Sequence, residues 1–340
     1  MQPDITVLIP NYNGAHYILR ALKSLSQQTY QNFLIYVVDD GSKDNSVDLV
    51  RHSEIVLPHL EIFEYANAGI TSNWNRSVDL VKTPFFTLLH FDDEYEPTYL
   101  ETMRSLILKY PDAALAHCPA ITINENSEPV NSPVELYKQN KYFRQQEIYY
   151  SPEFEFSKLL TGAYINCPSV FFRKKMVDVI GGFNPAYGQV QDWEYWFRVL
   201  FHGYRICATA TPVFRYRRHN ANASQTNSKS LMRYKEEKQL LEWAHREGVM
   251  RNWVHHEKID YTIIQKTVIL DISYDLINKL NHDAQKKLVF LQELPAGYKN
   301  SIICDFLKAM ILLGPVGGKL LQTMINTAVS LTRFLPFQNT

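Results

Sequence analysis

"NFLIYVVDDGSKDNS", residues 32–46, decides the fold. Its first half is apolar at every position from Phe33 to Val38, with no polar alternation. A strand with one wet face alternates, whereas one that is apolar throughout is covered on both faces, as in a parallel sheet flanked by helices. The run stops at two adjacent carboxylates, Asp39 and Asp40, and "GSKDNS" then supplies a turn and a helix N-cap. The pattern repeats on both sides. "ITVLIP" (5–10), "LEIFEY" (60–65) and "PFFTLLHF" (84–91) read as further strands. Between them lie helical patterns: Ile18, Leu19, Leu22 and Leu25, then "AGITSNWNRSVDLV" (68–81) and "PTYLETMRSLILKY" (97–110). Alternating strands and helices imply an α/β domain with a mostly parallel sheet.

In such sheets ligands bind beyond the carboxyl ends of the strands. The fourth strand also ends in an acidic pair, Asp92 and Asp93, in "FTLLHFDDEYEP" (86–97). Two acidic pairs on one rim mark a site. No GxGxxG follows any of the strands, which counts against a dehydrogenase. "GPVGGKL" (314–320) has Leu313 where a phosphate loop needs glycine, follows no strand, and reads as a turn between helices. Neither a nucleophile elbow nor a metalloprotease helix is present. Carboxylates without a nucleophile suit metal-assisted handling of a phosphorylated ligand, with Mg2+ or Mn2+ the expected ion.

Composition sets wider bounds. The 340 residues have room for a catalytic domain and an appendage, and 46% hydrophobic content supports a sizeable core. Lys plus Arg equals Asp plus Glu at 35 each, so no bulk charge points to nucleic acid. Cys118, Cys167, Cys207 and Cys304 form no CxxC pair, the pattern of a reduced protein. "ITVLIP" is too short and lacks the basic flank of a signal peptide, so a cytoplasmic location is expected.

Four motifs resemble the family 2 glycosyltransferases, which have the GT-A fold: "VLIPNYNG…YILRALKSLSQQTYQNFLIYVVDDGSKDNS", "NAGITSNWN", "FDD" and "GGFNPAYGQVQDWEYWFRV". They occur in the family's order and spacing, and the resemblance covers about residues 4–220. It implies a metal-dependent, hexosyltransferase-type enzyme that moves a sugar, with inversion, from a nucleotide-diphosphate sugar to an acceptor hydroxyl. A UDP-sugar is the favoured donor, and the acceptor is a glycan or lipid-linked molecule in polysaccharide or lipopolysaccharide assembly. By the resemblance, Pro10 and Tyr12 line the nucleotide pocket, Asp40 accepts from the base, and Asn75 lies near the donor. Asp92 reaches the ribose or sugar, Asp93 binds the metal, and Asp192 in "QDWE" is the catalytic base. "RYRRHNANAS" (215–224) is similar to a late segment that closes over the diphosphate, with Arg217 on phosphate and His219 on metal. The chain departs from the pattern at His90 and Gln191, where acids are usual, and at Trp74, where arginine is common. Two other readings remain open at this stage: a nucleotidyltransferase, which wants a basic Gly-rich loop after the first strand, and a non-catalytic sugar-nucleotide-binding module.

Ordinary structural readings stand beside these. Asp39 and Asp40 serve equally well as turn residues, and Asp192 as a helix cap. Trp193, Trp196, Phe197 and Leu200 read as core, and His255 and His256 as structural residues. The segment 125–155 is polar, aromatic and punctuated by prolines, and reads as a flexible acceptor-side loop. The domain division falls at residues 1–224 and 225–340, the latter a run of amphipathic helices. Leu321, Met324, Ile325, Ala328 and Val329 make one helical face. It either packs at home or on a second copy, or lies on the inner face of the cytoplasmic membrane.

Overall fold

The computed structural model describes residues 2–57, 59–218, 231–255, 258–295, 298 and 301–332, with backbone alone at 301–302 and 325–332. The chain divides into two compact units, Met1–Asn222 and Ala223–Thr340.

The first unit begins β1 (Ile5–Asn11), α1 (Ile18–Ser26), β2 (Phe33–Asp39), α2 (Ser46–Arg51), β3 (Leu60–Glu64), α3 (Ile70–Asp79), β4 (Phe85–Leu88). It continues β5 (Glu94–Tyr95), α4 (Tyr99–Lys109), β6 (Ala113–His117), β7 (Ala120–Ile123), α5 (Pro133–Tyr142), β8 (Glu147–Tyr149), α6 (Pro152–Leu159). It closes with β9 (Phe171–Arg173), α7 (Lys174–Ile180), α8 (Gln191–Phe201), β10 (Arg205–Thr209) and β11 (Phe214–Arg217). Eight strands form one sheet in the order β3-β2-β1-β4-β9-β6-β10-β8. β1, β2, β3 and β4 are parallel, as are β6 and β10, while β9 runs against both its neighbours and β8 against β10. The result is a mixed α/β unit with a mostly parallel sheet.

Burial follows the sequence pattern. β1 and β4 are buried at every residue, whereas the edge strand β3 is half open. Helix α1 turns Ile18, Ala21, Leu22 and Leu25 onto the sheet, each 0% exposed. Each of its buried leucines contributes on the order of 1.5–3 kcal/mol. A second, three-stranded sheet, β5-β11-β7, lies beyond β4 and carries the residues that back the second acidic pair.

The segment 125–155 is not a loop. It contains α5, β8 and the start of α6, and two Ser-Pro pairs explain why. Ser132 and Ser151 cap their helices, accepting from Glu135 N and Phe154 N at 3.3 Å, and Pro133 and Pro152 occupy the first helical position. Proline there begins a helix, because its missing N–H would have no partner anyway.

The second unit is helical: α9 (Met232–Met250), α10 (Thr262–Ile277), α11 (Asn281–Glu293), α12 (Ser301–Leu312) and α13 (Pro315–Thr332). Its core includes Ile264, Val268, Ile272 and Leu276, one face of α10, each 0% exposed. Of the expected turn at 314–320, only Gly314 makes the corner; Pro315 already begins α13. Gly318 lies inside α13 and lets it press on α10, since a Cβ there would stand 2.2 Å from the Leu276 carbonyl oxygen. No helix among the described residues is long and apolar enough to cross a membrane.

Candidate active site

The strand order reverses between β1 and its neighbours β2 and β4, which opens a crevice at their carboxyl ends. Pairing of β1 with β2 sets Asn11 opposite Asp39, and Leu89 N donates to Leu8 O beside it at 2.9 Å. Asp39 is a turn residue: it accepts from Asn11 Nδ2 at 2.7 Å and from Ser42 N at 2.8 Å. Asp40, also buried, accepts from Ala68 N and Gly69 N at 2.9 Å and from Asn67 Nδ2 at 3.1 Å. Arg76 pairs with it at 3.4 Å. Asp40 therefore pins the loop before α3. Pro10 is buried in β1, while Tyr12, 45% exposed, stands at the rim.

After β4 the chain turns back, with Asp93 N donating to His90 O at 3.1 Å. His90, Asp92 and Asp93 each turn a ligand atom to one place, and the three atoms lie within 4.8 Å of one another. Asp93 is 1% exposed; its Oδ1 accepts from Arg217 N at 2.8 Å, and its Oδ2 has no partner among the described residues. His90 Nε2 is likewise buried without a partner. Burial, and then Asp92, holds the Asp93 carboxyl well above the usual range, and burial pushes His90 down. These are the conditions a cation would relieve.

Asp192 is the second residue of α8, and the helix cap is Val190. Its Oδ1 accepts from Trp193 N at 2.8 Å. Burial, then Asp192 and then Asp93, raise the buried Cys167 thiol well above its ordinary value. Trp193, Trp196, Phe197 and Leu200 are core residues, as expected.

Asn75 grips the turn before α8 with both ends of its amide, accepting from Phe183 N at 2.7 Å and donating to Phe183 O at 2.8 Å. A Cβ on Gly182 would come within 2.6 Å of its Oδ1, so that turn needs glycine. Arg217 is fully buried. Its Nε donates to Asp92 O at 2.7 Å and its Nη1 to Asn124 O at 2.6 Å, and Nη2 pairs with Glu94. The guanidinium also stands 4.9 Å from the Tyr17 ring. His219, expected as a metal ligand, lies outside the described residues.

Residues 6–180 match the profile of glycosyl transferase family 2. The chain belongs to that family. It is 27% identical over 199 residues to an uncharacterized glycosyltransferase of Rickettsia typhi, covering 58% of this chain and 59% of the relative. With a putative glycosyltransferase of Bacillus subtilis, EpsH, it shares 25% over 232 residues, 67% of this chain and 65% of that protein. Among solved structures, Staphylococcus aureus TarS 1-349 in complex with UDP-GlcNAc superposes with TM-score 0.58 at 14% identity, over 100% of this chain and 95% of that one. The mannosyltransferase PcManGT of Pyrobaculum calidifontis, in complex with GDP-Man and Mn2+, gives 0.52 at 16%, over 97% and 87%. The fold is GT-A.

For a family 2 glycosyltransferase, two features of this site escaped the sequence reading. His90 was marked as a departure and not as a possible ligand, although the spacing His-x-Asp-Asp was its signal. Arg217 was named as a phosphate contact, but its partners in β5 and the 124–127 turn were not, because they lie far away in sequence.

Proposed function

We propose that this family 2 enzyme transfers a hexose, with inversion, from a nucleotide-diphosphate sugar, UDP favoured, to an acceptor hydroxyl on a glycan or lipid-linked molecule. The observation that carries the reading is the group His90, Asp92 and Asp93 after β4, one ligand atom of each lying within 4.8 Å of the others, with Asp93 Oδ2 and His90 Nε2 buried and unpartnered among the described residues. TarS and PcManGT, whose fold it shares, are described in complex with UDP-GlcNAc and with GDP-Man and Mn2+.

Asp92 and Asp93 would hold a divalent cation, Mg2+ or Mn2+, which would supply positive charge to balance the leaving diphosphate. Asp40 and its loop 67–69 shape the base end, with Pro10 and Tyr12 on the β1 side and Asn75 fixing the turn opposite. Arg217 keeps Asp92 and Asp93 in place from beneath. An in-line displacement needs the acceptor hydroxyl deprotonated on the face opposite the leaving diphosphate, so the base comes from an element other than the acidic turn. Asp192 on α8 fills that role. The product serves cell-envelope polysaccharide assembly at the cytoplasmic face of the membrane.

Asp93→Ala tests the reading. Parent protein should bind UDP in calorimetry only with Mn2+ present, and the variant should not. The substitution removes one hydrogen bond, about 1 kcal/mol, and leaves the fold intact. Equal UDP affinity of the two proteins with and without metal refutes it. Pyrophosphate in place of nucleoside diphosphate among the products of turnover would mark a nucleotidyltransferase.

A further inference from the structure

Two of the chain's departures from its family's pattern, Trp74 and His90, are one feature in space. The Trp74 indole, 4% exposed, lies 5.2 Å from the His90 ring, tilted by 31°, and meets the Phe183 ring edge-on at 5.1 Å. Phe183 is itself fixed at both its backbone N and O by Asn75. The imidazole thus packs against an aromatic ring of α3, and its buried Nε2 has no partner among the described residues. His90, Asp92 and Asp93 each offer one ligand atom, all within 4.8 Å of one another, which makes a mixed nitrogen and oxygen donor set, and Asp93 Oδ2 too has no partner among the described residues. Ligand atoms on one six-coordinate ion stand about 3 Å apart when adjacent and about 4.2 Å when opposite, so small side-chain rotations suffice.

We propose that His90 is a direct ligand, through Nε2, of the cation held by Asp92 and Asp93, and that it makes this centre select divalent transition ions over Mg2+. The inference rests on the proposed metal–diphosphate reading and adds the ion's identity to it. Mg2+ prefers an all-oxygen shell and gives up water reluctantly, whereas an imidazole donor favours first-row transition ions. An all-carboxylate turn would discriminate less. The substitution of a histidine for an acid therefore narrows the usable metals and leaves the diphosphate contact in place.

The test uses full-length protein with UDP, and Mn2+ and Mg2+ as probes. Pulsed EPR of the Mn2+-loaded protein should show nitrogen coupling that changes when histidine is labelled with 15N. That coupling should vanish in His90→Asp and in His90→Phe, the second of which keeps a ring against Trp74. Competition of Mg2+ against the Mn2+ signal should show the preference for Mn2+ falling about tenfold or more in His90→Asp. Absence of the histidine coupling in parent protein that does bind Mn2+, or an unchanged preference in a folded His90→Asp, overturns the inference alone. Parent protein that binds neither ion with UDP overturns the function on which it rests.

Discussion

At the scale of the residue, two side chains separate chemistry from architecture. Asp192 is an acid in the first turn of α8 but not its cap, so an amide in its place costs the helix little. Asp192→Asn is expected to lower turnover by about 10²–10⁴-fold while leaving donor affinity unchanged. Steady-state kinetics beside calorimetry decides, and turnover within a few-fold of the parent would place the base elsewhere. Arg217 gives the opposite expectation. Its guanidinium, 0% exposed, holds the Asp92 carbonyl, the Asn124 carbonyl and Glu94, and lysine cannot reproduce that fork. Arg217→Lys should lower stability by roughly 2 kcal/mol or more, read from denaturant midpoints, with UDP affinity falling as a consequence. A guanidinium on the donor diphosphate, as the resemblance implies, would instead lose affinity with stability untouched. The acidic pairs were legible in the sequence because each ends an apolar run. The inward turn of Arg217 was not, because Glu94 stands 123 residues away and only the pairing of β11 with β5 brings them together.

At the scale of the element, legibility followed length and period. The four parallel strands were readable because β1, β2 and β4 are largely apolar runs between helical patterns and the half-open edge strand β3 repeats the same spacing. β8 and β9 have three residues each, too few to show any period, and both run antiparallel to their neighbours. The Ser-Pro pairs before α5 and α6 were taken for loop punctuation, although the same two residues are a helix start. β6 supplies a pH-dependent element. His117 at its end is 2% exposed, packs edge-on against Phe143 and Tyr164, and has no partner at Nδ1 among the described residues. Burial, and then Lys158, lowers its pKa to about 3. An unfolded histidine takes its proton near pH 6.5, which the folded one refuses, so stability is lost as pH falls from about 6.5 towards 3 and is unaffected above. By pH 5 this amounts to about 2 kcal/mol. His117→Leu should remove that acid-side loss. Its thermal midpoint relative to the parent should therefore rise between pH 7 and pH 5, and a constant difference would mean that His117 does not titrate on unfolding.

At the scale of the whole molecule, the site's described residues belong to the unit Met1–Asn222, and the helical unit Ala223–Thr340 has a core of its own. The helical pattern after residue 225 was legible, because amphipathic periodicity survives without strands. What the helices are for was not, because a face's partner leaves no period. α13 shows two faces. Gly317, Gly318 and Leu321 turn inward, with a Cβ on Gly317 falling 2.1 Å from the Met310 carbonyl oxygen. Val316, Leu320 and Met324, spaced by four residues, are 59%, 47% and 54% exposed. Lys319 lies between them in the chain, and α13 carries no acidic residue. An apolar row with a basic flank is the composition of a helix that lies on an anionic membrane surface. Deleting 315–340 is a poor test, because it would strip the cover from α10 and α12. Replacing Val316, Leu320 and Met324 together with glutamate alters the outer face alone. Full-length protein should sediment with vesicles containing anionic lipid and the triple variant should stay in the supernatant, at unchanged thermal stability. Sedimentation should also weaken with salt, since each basic residue near the surface adds only about 1 kcal/mol. If parent and variant sediment alike, this row does not meet the membrane. A parent of twice the monomer mass that falls to one mass in the variant would instead assign the row to a second copy of the chain.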